Sequence, residues 1–448
     1  MSDYLLQRQL VSRVLLYLNV SRSRLAVTVV LAPMRLLITI CFHLSYRVVG
    51  LPKSMKLLRA AILCGANSSA IWNYLNTQMA TGVYRGESWM RLAEIEAHAI
   101  GKTTKCSESD KRCIVLQLVS YASGQESGFG QLDSDFSKRV LGILLWHINP
   151  RTRATYAQIV AEYVNNGSVA NNRVVELQPE KNTQFVEFRK RGVLSLGTVL
   201  TVQEVADVIH YLGDKQCSPG HDFVQSAGSA TSLELIRQSE VGYASYPTNT
   251  ILKAPYLMEA ANSGRLVELA SLYLGCPPTI QAVNLFWTFP GHSPGGVSKF
   301  HRDHNDFRSI SFYLYLSDVD LLSGHHEYIV QSIDPVFCDR RIDESNADPR
   351  CELDFFNPPW SHESAESVFY RDIAKMVGVR GSGFISDPYG LHRGVMPENF
   401  DRLLFYAVFS GCGLLPSIPD SGLPISQFGP QISGSESARL RNQRFILP

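Results

Sequence analysis

Ile310-Ser311-Phe312-Tyr313-Leu314-Tyr315-Leu316-Ser317 sets the fold class for the second half of this chain. Ile310, Phe312, Leu314 and Leu316 alternate with Ser311, Tyr313, Tyr315 and Ser317, the period-two pattern of a half-buried strand. Upstream, 280–289 is a second apolar run, closed by the loop Pro290-Gly291-His292-Ser293-Pro294-Gly295-Gly296. Shorter strands are expected over 193–196, 384–386 and 403–410. Many short strands with Gly and Pro turns predict a double-sheet jelly roll, or double-stranded β-helix. Helices enter between them. Thr201 with Glu204 three residues on is a capping box for a helix running to Leu212, closed by Gly213. Another is expected over 256–274, weakened at Gly264.

Further out, the texture becomes helical. Leu5, Leu6, Leu10, Val14 and Leu18 share one face of an opening amphipathic helix. Helices are also expected over 89–100, 140–146 and 156–164, and the polar run 178–191 reads as a junction. At 448 residues the chain exceeds one core of typical size. The expected organisation is α+β: a mainly helical region 1–185, a jelly-roll domain 186–420 and a tail 421–448.

The formal net charge of +1 gives no sign of a nucleic-acid partner, and none is expected. Charge is unevenly spread, however: residues 1–60 hold nine Lys or Arg against the single acid Asp3. A basic amphipathic segment fits peripheral contact with an anionic membrane. It equally fits a helix packed on its own domain with solvated arginines. The apolar stretch 25–46 is split by Pro33 and Arg35 into halves shorter than the roughly 18 residues a spanning helix needs. No secretory signal is apparent, because Asp3, Arg8 and Arg13 interrupt the place for its apolar core. Nine cysteines without a CxxC pair, Cys106 and Cys113 being the nearest neighbours, read as reduced thiols of a cytoplasmic protein.

Chemistry concentrates in two stretches. In Phe300-His301-Arg302-Asp303, positions i and i+2 of a strand face the same way, so His301 and Asp303 can approach one metal ion. Ser386-Asp387-Pro388-Tyr389-Gly390-Leu391-His392-Arg393-Gly394 offers His392 as a third ligand. Two imidazoles and one carboxylate leave three positions open, the arrangement of non-haem iron oxygenases. Ten residues past His392 stands Arg402, whose guanidinium fork suits a carboxylate. Each piece alone has a plainer reading: His301 as a surface histidine bonded to Asp303, His392 as a turn residue, Arg402 as solvated beside Asp401. Short motifs do match by chance.

The surroundings of these motifs resemble the phytanoyl-CoA dioxygenase-like family. After Phe300-His301-Arg302-Asp303 come Tyr315-Leu316-Ser317-Asp318-Val319-Asp320, Gly324 and Tyr328, and later His392-Arg393-Gly394 and Arg402. Val193-Leu194-Ser195-Leu196 and Asn284-Leu285-Phe286-Trp287 resemble the family's lead-in, so the likeness spans roughly 193 to 412. It implies an Fe(II)- and 2-oxoglutarate-dependent dioxygenase that hydroxylates a small molecule, using O2 and releasing succinate and CO2, with ascorbate stimulating. His301, Asp303 and His392 would bind iron and Arg402 the distal carboxylate of 2-oxoglutarate. Halogenases related to the family lack the carboxylate that Asp303 supplies, so hydroxylation is implied.

Other candidates follow from position. Tyr315 could reach the co-substrate or merely pack. Ser410 shares a face with Arg402 if the strand is unbroken. His304 projects away from the site, and His325 and His326 read as solvated turn residues. Where the family has Gly-Ser-His, this chain has Gln331-Ser332-Ile333, followed by an insertion-like stretch 334–372 whose Phe355, Phe356, Pro358, Pro359 and Trp360 suit a substrate lid or the barrel rim. Two other classes compete: a non-catalytic jelly-roll binding protein with a vestigial metal site, and a cupin-type isomerase or hydrolase. Arg402 counts against the latter, because it calls for a carboxylate co-substrate.

Overall fold

The computed structural model describes residues 150–167, 182–220, 230–239, 241–292, 298–304, 306–345, 362–411 and 422–447. The opening amphipathic helix, the 25–46 stretch, the helices expected over 89–100 and 140–146, Cys106, Cys113 and the aromatic residues Phe355, Phe356 and Trp360 lie outside them.

Among the described residues, ten strands build two antiparallel sheets. The larger contains β1 (Val193–Thr198), β2 (Ser218–Pro219), β3 (Tyr243–Ser245), β4 (Thr279–Thr288), β5 (Ser309–Tyr315), β8 (Ser382–Ser386) and β10 (Arg402–Ser410), in the order β1-β8-β5-β10-β4-β3-β2. The smaller contains β6 (His326–Ile329), β7 (Ile373–Met376) and β9 (His392–Gly394), in the order β7-β6-β9. A bridge between His301 and His392 adds the segment before β5 to the edge of β9. From β4 onward the chain therefore alternates between sheets: large, small, large, small twice, large, small, large. That alternation is the winding of a jelly roll.

Three apolar clusters of described residues fix the layers. Between the sheets lie Phe286, Tyr313, Tyr315, Phe384, Leu404 and Tyr406 from the large one and Tyr328, Ala374 and Met376 from the small one. Behind the large sheet, Leu285, Ile310, Phe312, Leu314 and Phe405 meet the helices. β5 is consequently buried along its whole length instead of half-buried, because β8 and β10 flank it and helices cover its outer face. Behind the small sheet, Phe300, Ile329 and Leu391 pack on Phe337 and Ile342 of Pro335–Ser345 and on Val368 and Phe369 of His362–Phe369. The described parts of the 334–372 stretch are thus helices that cover the small sheet.

Local signals explain the helices. Thr201 caps α3 (Val202–Leu212) with both halves of the capping box: its Oγ accepts from Glu204 N–H at 3.2 Å and its own N–H donates to Glu204 Oε2 at 2.7 Å. The helix expected over 156–164 extends over Pro150–Gly167, here α1, and the polar run before β1 contains α2 (Thr183–Arg191). Asn182 caps α2, which buries Phe185 and Phe188 and stops at Gly192 with φ 78°. With Ala161 of α1, these residues join the cluster behind the large sheet. The helix expected over 256–274 breaks just before Gly264, its expected weak point, into Leu257–Ala261 and α4 (Gly264–Leu274), where Asn262 and Ser263 leave helical geometry. Residues 422–447, expected to be a tail, bury Leu423, Phe428, Ile432 and Phe445 in the same cluster. Among the described residues, no helix is long and apolar enough to cross a membrane. Cys217, Cys276 and Cys338 are free and buried, and burial pushes their thiols up to about 11, 12 and 12.

Candidate metal centre

The two ligand-bearing segments are zipped together by their backbones. His301 N–H donates to His392 O at 2.9 Å, His392 N–H to His301 O at 3.0 Å, and Asp303 N–H to Pro388 O at 2.7 Å. Arg302, the residue between the two candidate ligands, is buried and donates to the carbonyls of Tyr389 and, at 2.9 Å, Ser332. Ser332 Oγ in turn accepts from Leu391 N–H at 2.7 Å. Tyr328 completes the clamp by donating to Asp387 O at 3.0 Å. Its hydroxyl fills the space where Gly192 and Gly390 carry no side chain: a Cβ on either would overlap it.

This scaffold brings His301, Asp303 and His392 into one cluster, with one ligand atom from each lying within 4.8 Å of the others. Both imidazole Nδ1 atoms face backbone carbonyls, Lys299 O at 2.8 Å and Gly390 O at 2.9 Å. A carbonyl only accepts, so each ring carries its proton on Nδ1 and turns a bare Nε2 inward, the tautomer a metal requires. The carboxylate of Asp303 lies between them, with Oδ1 3.6 Å from His301 Nε2 and Oδ2 3.7 Å from His392 Nε2. Burial with His301 beside it pushes His392 down to about 4, so it stays neutral and available at neutral pH. The centre is closed on the His392 side (side chain 5% exposed) and open on the Asp303 side (32%).

Arg402 begins β10 and points between the sheets. It is buried, and it donates hydrogen bonds to Gly324 O and, at 3.0 Å, Thr288 Oγ1. No carboxylate pairs with it among the described residues, and burial lowers its pKa with only Tyr315 and Tyr243 opposing. A buried guanidinium without a counter-ion carries a desolvation cost of several kcal/mol. Gly394, two residues past His392, leaves the floor beneath it open: a Cβ there would stand 3.7 Å and 3.8 Å from Nη2 and Nη1.

The remaining candidates separate. Tyr315 is buried between the sheets near Arg402, its hydroxyl donating to Met376 O at 2.7 Å and accepting from His326 N–H at 3.2 Å. Ser410 closes the other end of β10, eight residues or about 27 Å of strand from Arg402, where it acts on Asp306. His304 packs edge-on against Tyr389 at 5.7 Å. His325 and His326 are not solvated: they are 4% and 5% exposed. The turn ends at Gly324 and β6 starts two residues on, at His326, so alternation sends His326 inward and His325 outward, where its Nε2 lies 3.2 Å from Glu327 Oε1. Glu327 is buried, which raises its pKa, but His325 and Arg393 outweigh that and hold it at about 2. Arg393 belongs to this outer ion cluster, 2.8 Å from Glu327 Oε2. Thr288 had no motif to reveal it. Its only signal is register, since β4 ends where β10 begins and the two residues pair.

No family model and no curated protein matches the sequence. Among solved structures, the chain is similar to SnoN, a non-heme α-ketoglutarate-dependent epimerase from nogalamycin biosynthesis, at 15% identity over 54% of this chain and 88% of that one, with a TM-score of 0.36. It is similar to HygX from Streptomyces hygroscopicus, a structure with nickel and 2-oxoglutarate bound, at 16% identity over 51% and 86%, TM-score 0.31. It is also similar to EctD from S. alaskensis in its apoform, at 17% identity over 54% and 79%, TM-score 0.33.

Proposed function

We propose that this chain is an Fe(II)- and 2-oxoglutarate-dependent dioxygenase that hydroxylates a small organic substrate, of the phytanoyl-CoA dioxygenase-like kind its motifs resemble. One observation carries the proposal: a two-histidine, one-carboxylate cluster shares the barrel interior with a buried arginine that no carboxylate of the described chain pairs. The donor set fits Fe(II), since two bare imidazole nitrogens and one carboxylate oxygen leave coordination positions for a chelating co-substrate and O2. Arg402 fits the co-substrate, because its fork and its uncompensated burial both call for an anion. Bound iron would couple conversion of 2-oxoglutarate and O2 into succinate and CO2 to insertion of one oxygen atom into a substrate C–H bond. The chain's own part is to fix the two histidine tautomers through Lys299 O and Gly390 O, to seat the distal carboxylate on Arg402, and to keep water from the His392 side. Tyr315 supports this arrangement beside Arg402 as a co-substrate neighbour.

The test is direct. Purified protein with Fe(II) and ascorbate should convert 2-oxoglutarate to succinate slowly even without substrate, and Asp303→Ala should not. Absence of turnover from a protein that binds both metal and 2-oxoglutarate would favour the binding-protein alternative. For residues 1–60, we infer peripheral contact with anionic membranes from nine bases against one acid. Co-sedimentation with anionic but not neutral vesicles, reversed by high salt, is the expected result. Removal of residues 1–24 should weaken that binding, and binding undiminished by it would assign the contact to another segment.

A further inference from the structure

One more side chain borders the interval between the imidazole pair and Arg402. His326 opens β6 and pairs across to Gly394 of β9, and cross-strand partners share a face. Its ring lies 5.4 Å from that of His392 at 24°, 4.8 Å from Tyr313 and 5.2 Å from Phe384. Its Nε2 is buried and has no hydrogen-bond partner among the described residues. A desolvated polar atom left without a partner in a native interior calls for an explanation. Position supplies one. Arg402 stands over Gly394, two residues beyond His392 on β9, a separation of about 7 Å along a strand, with His326 flanking that interval. The electrostatic neighbours of its ring are His392, Arg402, His301 and His325, so it lies among the two histidine ligands and the carboxylate seat.

We propose that His326 is a co-substrate-binding residue: with its proton on Nε2, it donates a hydrogen bond to a carboxylate or keto oxygen of a 2-oxo dicarboxylate lying between the metal cluster and Arg402. The inference rests on the function proposed above. It explains why a histidine occupies a place where the neighbouring rings, Tyr313 and Phe384, would accept an apolar side chain. It also assigns the binding of the middle of the oxo acid to the small sheet, while Arg402 of the large sheet holds its end.

The test uses full-length protein loaded with Mn(II), which fills the metal site without turnover. His326→Phe keeps the ring stacking and removes the donor, while His326→Gln keeps an N–H donor at similar reach. Calorimetric titration with 2-oxoglutarate should show affinity at least tenfold weaker in His326→Phe and largely restored in His326→Gln. Mn(II) affinity, measured without 2-oxoglutarate, should match the unsubstituted protein in both. The inference is overturned if His326→Phe binds 2-oxoglutarate as the unsubstituted protein does. It is also overturned if metal affinity falls in step, because His326 would then act through His392. Should His326→Phe fail to fold, a tenfold loss in His326→Leu with restoration in His326→Gln supports the inference, and equal affinities sink it. If the unsubstituted Mn(II) protein does not bind 2-oxoglutarate at all, the co-substrate assignment itself fails first.

Discussion

Asp303 stands between two bare imidazole nitrogens, 3.6 Å and 3.7 Å away, so each member of the cluster completes a set the other two cannot. His301→Ala and Asp303→Ala remove partly exposed side chains from backbones held by His392 and Pro388. Both should keep the unfolding transition within a few degrees while abolishing succinate formation and weakening Mn(II) binding by tenfold or more. A variant that still produces succinate normally is not a ligand variant. Arg402 answers to a different ligand. Hydrogen bonds to charged groups contribute about 1.5–3 kcal/mol each, so losing a bidentate pair in Arg402→Ala should weaken 2-oxoglutarate binding at least tenfold. Mn(II) affinity should hold. Arg402→Lys should recover only part, since an ammonium lacks the planar fork. Calorimetry on the Mn(II) protein decides, and unchanged 2-oxoglutarate affinity would remove Arg402 from this role. Arg393, the other arginine near the second histidine, is no substitute, because it is committed to Glu327.

Strand β6 and the turn after it show what an element adds. Gln331 has φ 67°, the left-handed region, at the position where the family it resembles carries glycine. A side chain there costs about 1–2 kcal/mol of backbone strain, against about 0.5–1 kcal/mol of chain entropy for glycine. Gln331→Gly should therefore leave stability unchanged or raise it by up to about 1.5 kcal/mol, whereas β-branched Gln331→Val should lower it, as read from urea midpoints. A clear loss in Gln331→Gly would mean that the side chain is worth more than its strain. Elements of this length mark the limit of what sequence makes legible. The Thr201–Glu204 cap and the Ile310–Ser317 alternation are local patterns long enough to read directly; the cap and a strand over Ser309–Tyr315 stand in the structure, although that strand is buried throughout and not half-buried. β6 is four residues long and begins two residues after a glycine, too short to display a period, so its first residue His326 and the preceding His325 read as turn residues. What buries His326 is distant in sequence: Gly394 and His392 on β9, Tyr313 on β5, Phe384 on β8. The spacing of His301 and Asp303 was legible as a shared face, and the backbone zipper to His392 was not, because pairing between segments some ninety residues apart leaves no local trace.

On the scale of the whole molecule, the loop that presents His392 rests on buried charge contributed by widely separated elements. Arg153 of α1 lies 4.0 Å over the Tyr389 ring and donates to Asp306 O, while Arg302 lies 5.0 Å from the same ring. Tyr273 of α4 donates to Asp387, which also accepts from Tyr389 N–H at 2.9 Å. Burial raises the pKa of both acids, and that of Asp306 reaches about 7. Asp306 then holds its proton in the folded state where the unfolded chain, near 3.8, has released it. Between those two values the native state binds more protons, so the contribution of Asp306 to stability falls as pH rises through that window. His392 works in the opposite direction: its folded value of about 4 lies below the ordinary 6.5, and stability from that source rises with pH between them. The overall pH profile therefore mixes two opposed slopes, and one substitution separates them. Asp306→Asn can keep the acceptor for Phe307 N–H, which Asp306 Oδ1 binds at 2.6 Å, and removes the ionisation. Its stability relative to the unsubstituted protein should improve from pH 5 to pH 8. Most of that gain falls below pH 7, where each pH unit contributes about 1.36 kcal/mol, for a total of up to about 3 kcal/mol. Any constant cost of the amide cancels in that comparison. Unfolding midpoints of both proteins at the two pH values measure the difference, and a gap that does not widen toward pH 8 would show that Asp306 is already ionised inside the fold, with Arg153 as its working counter-ion.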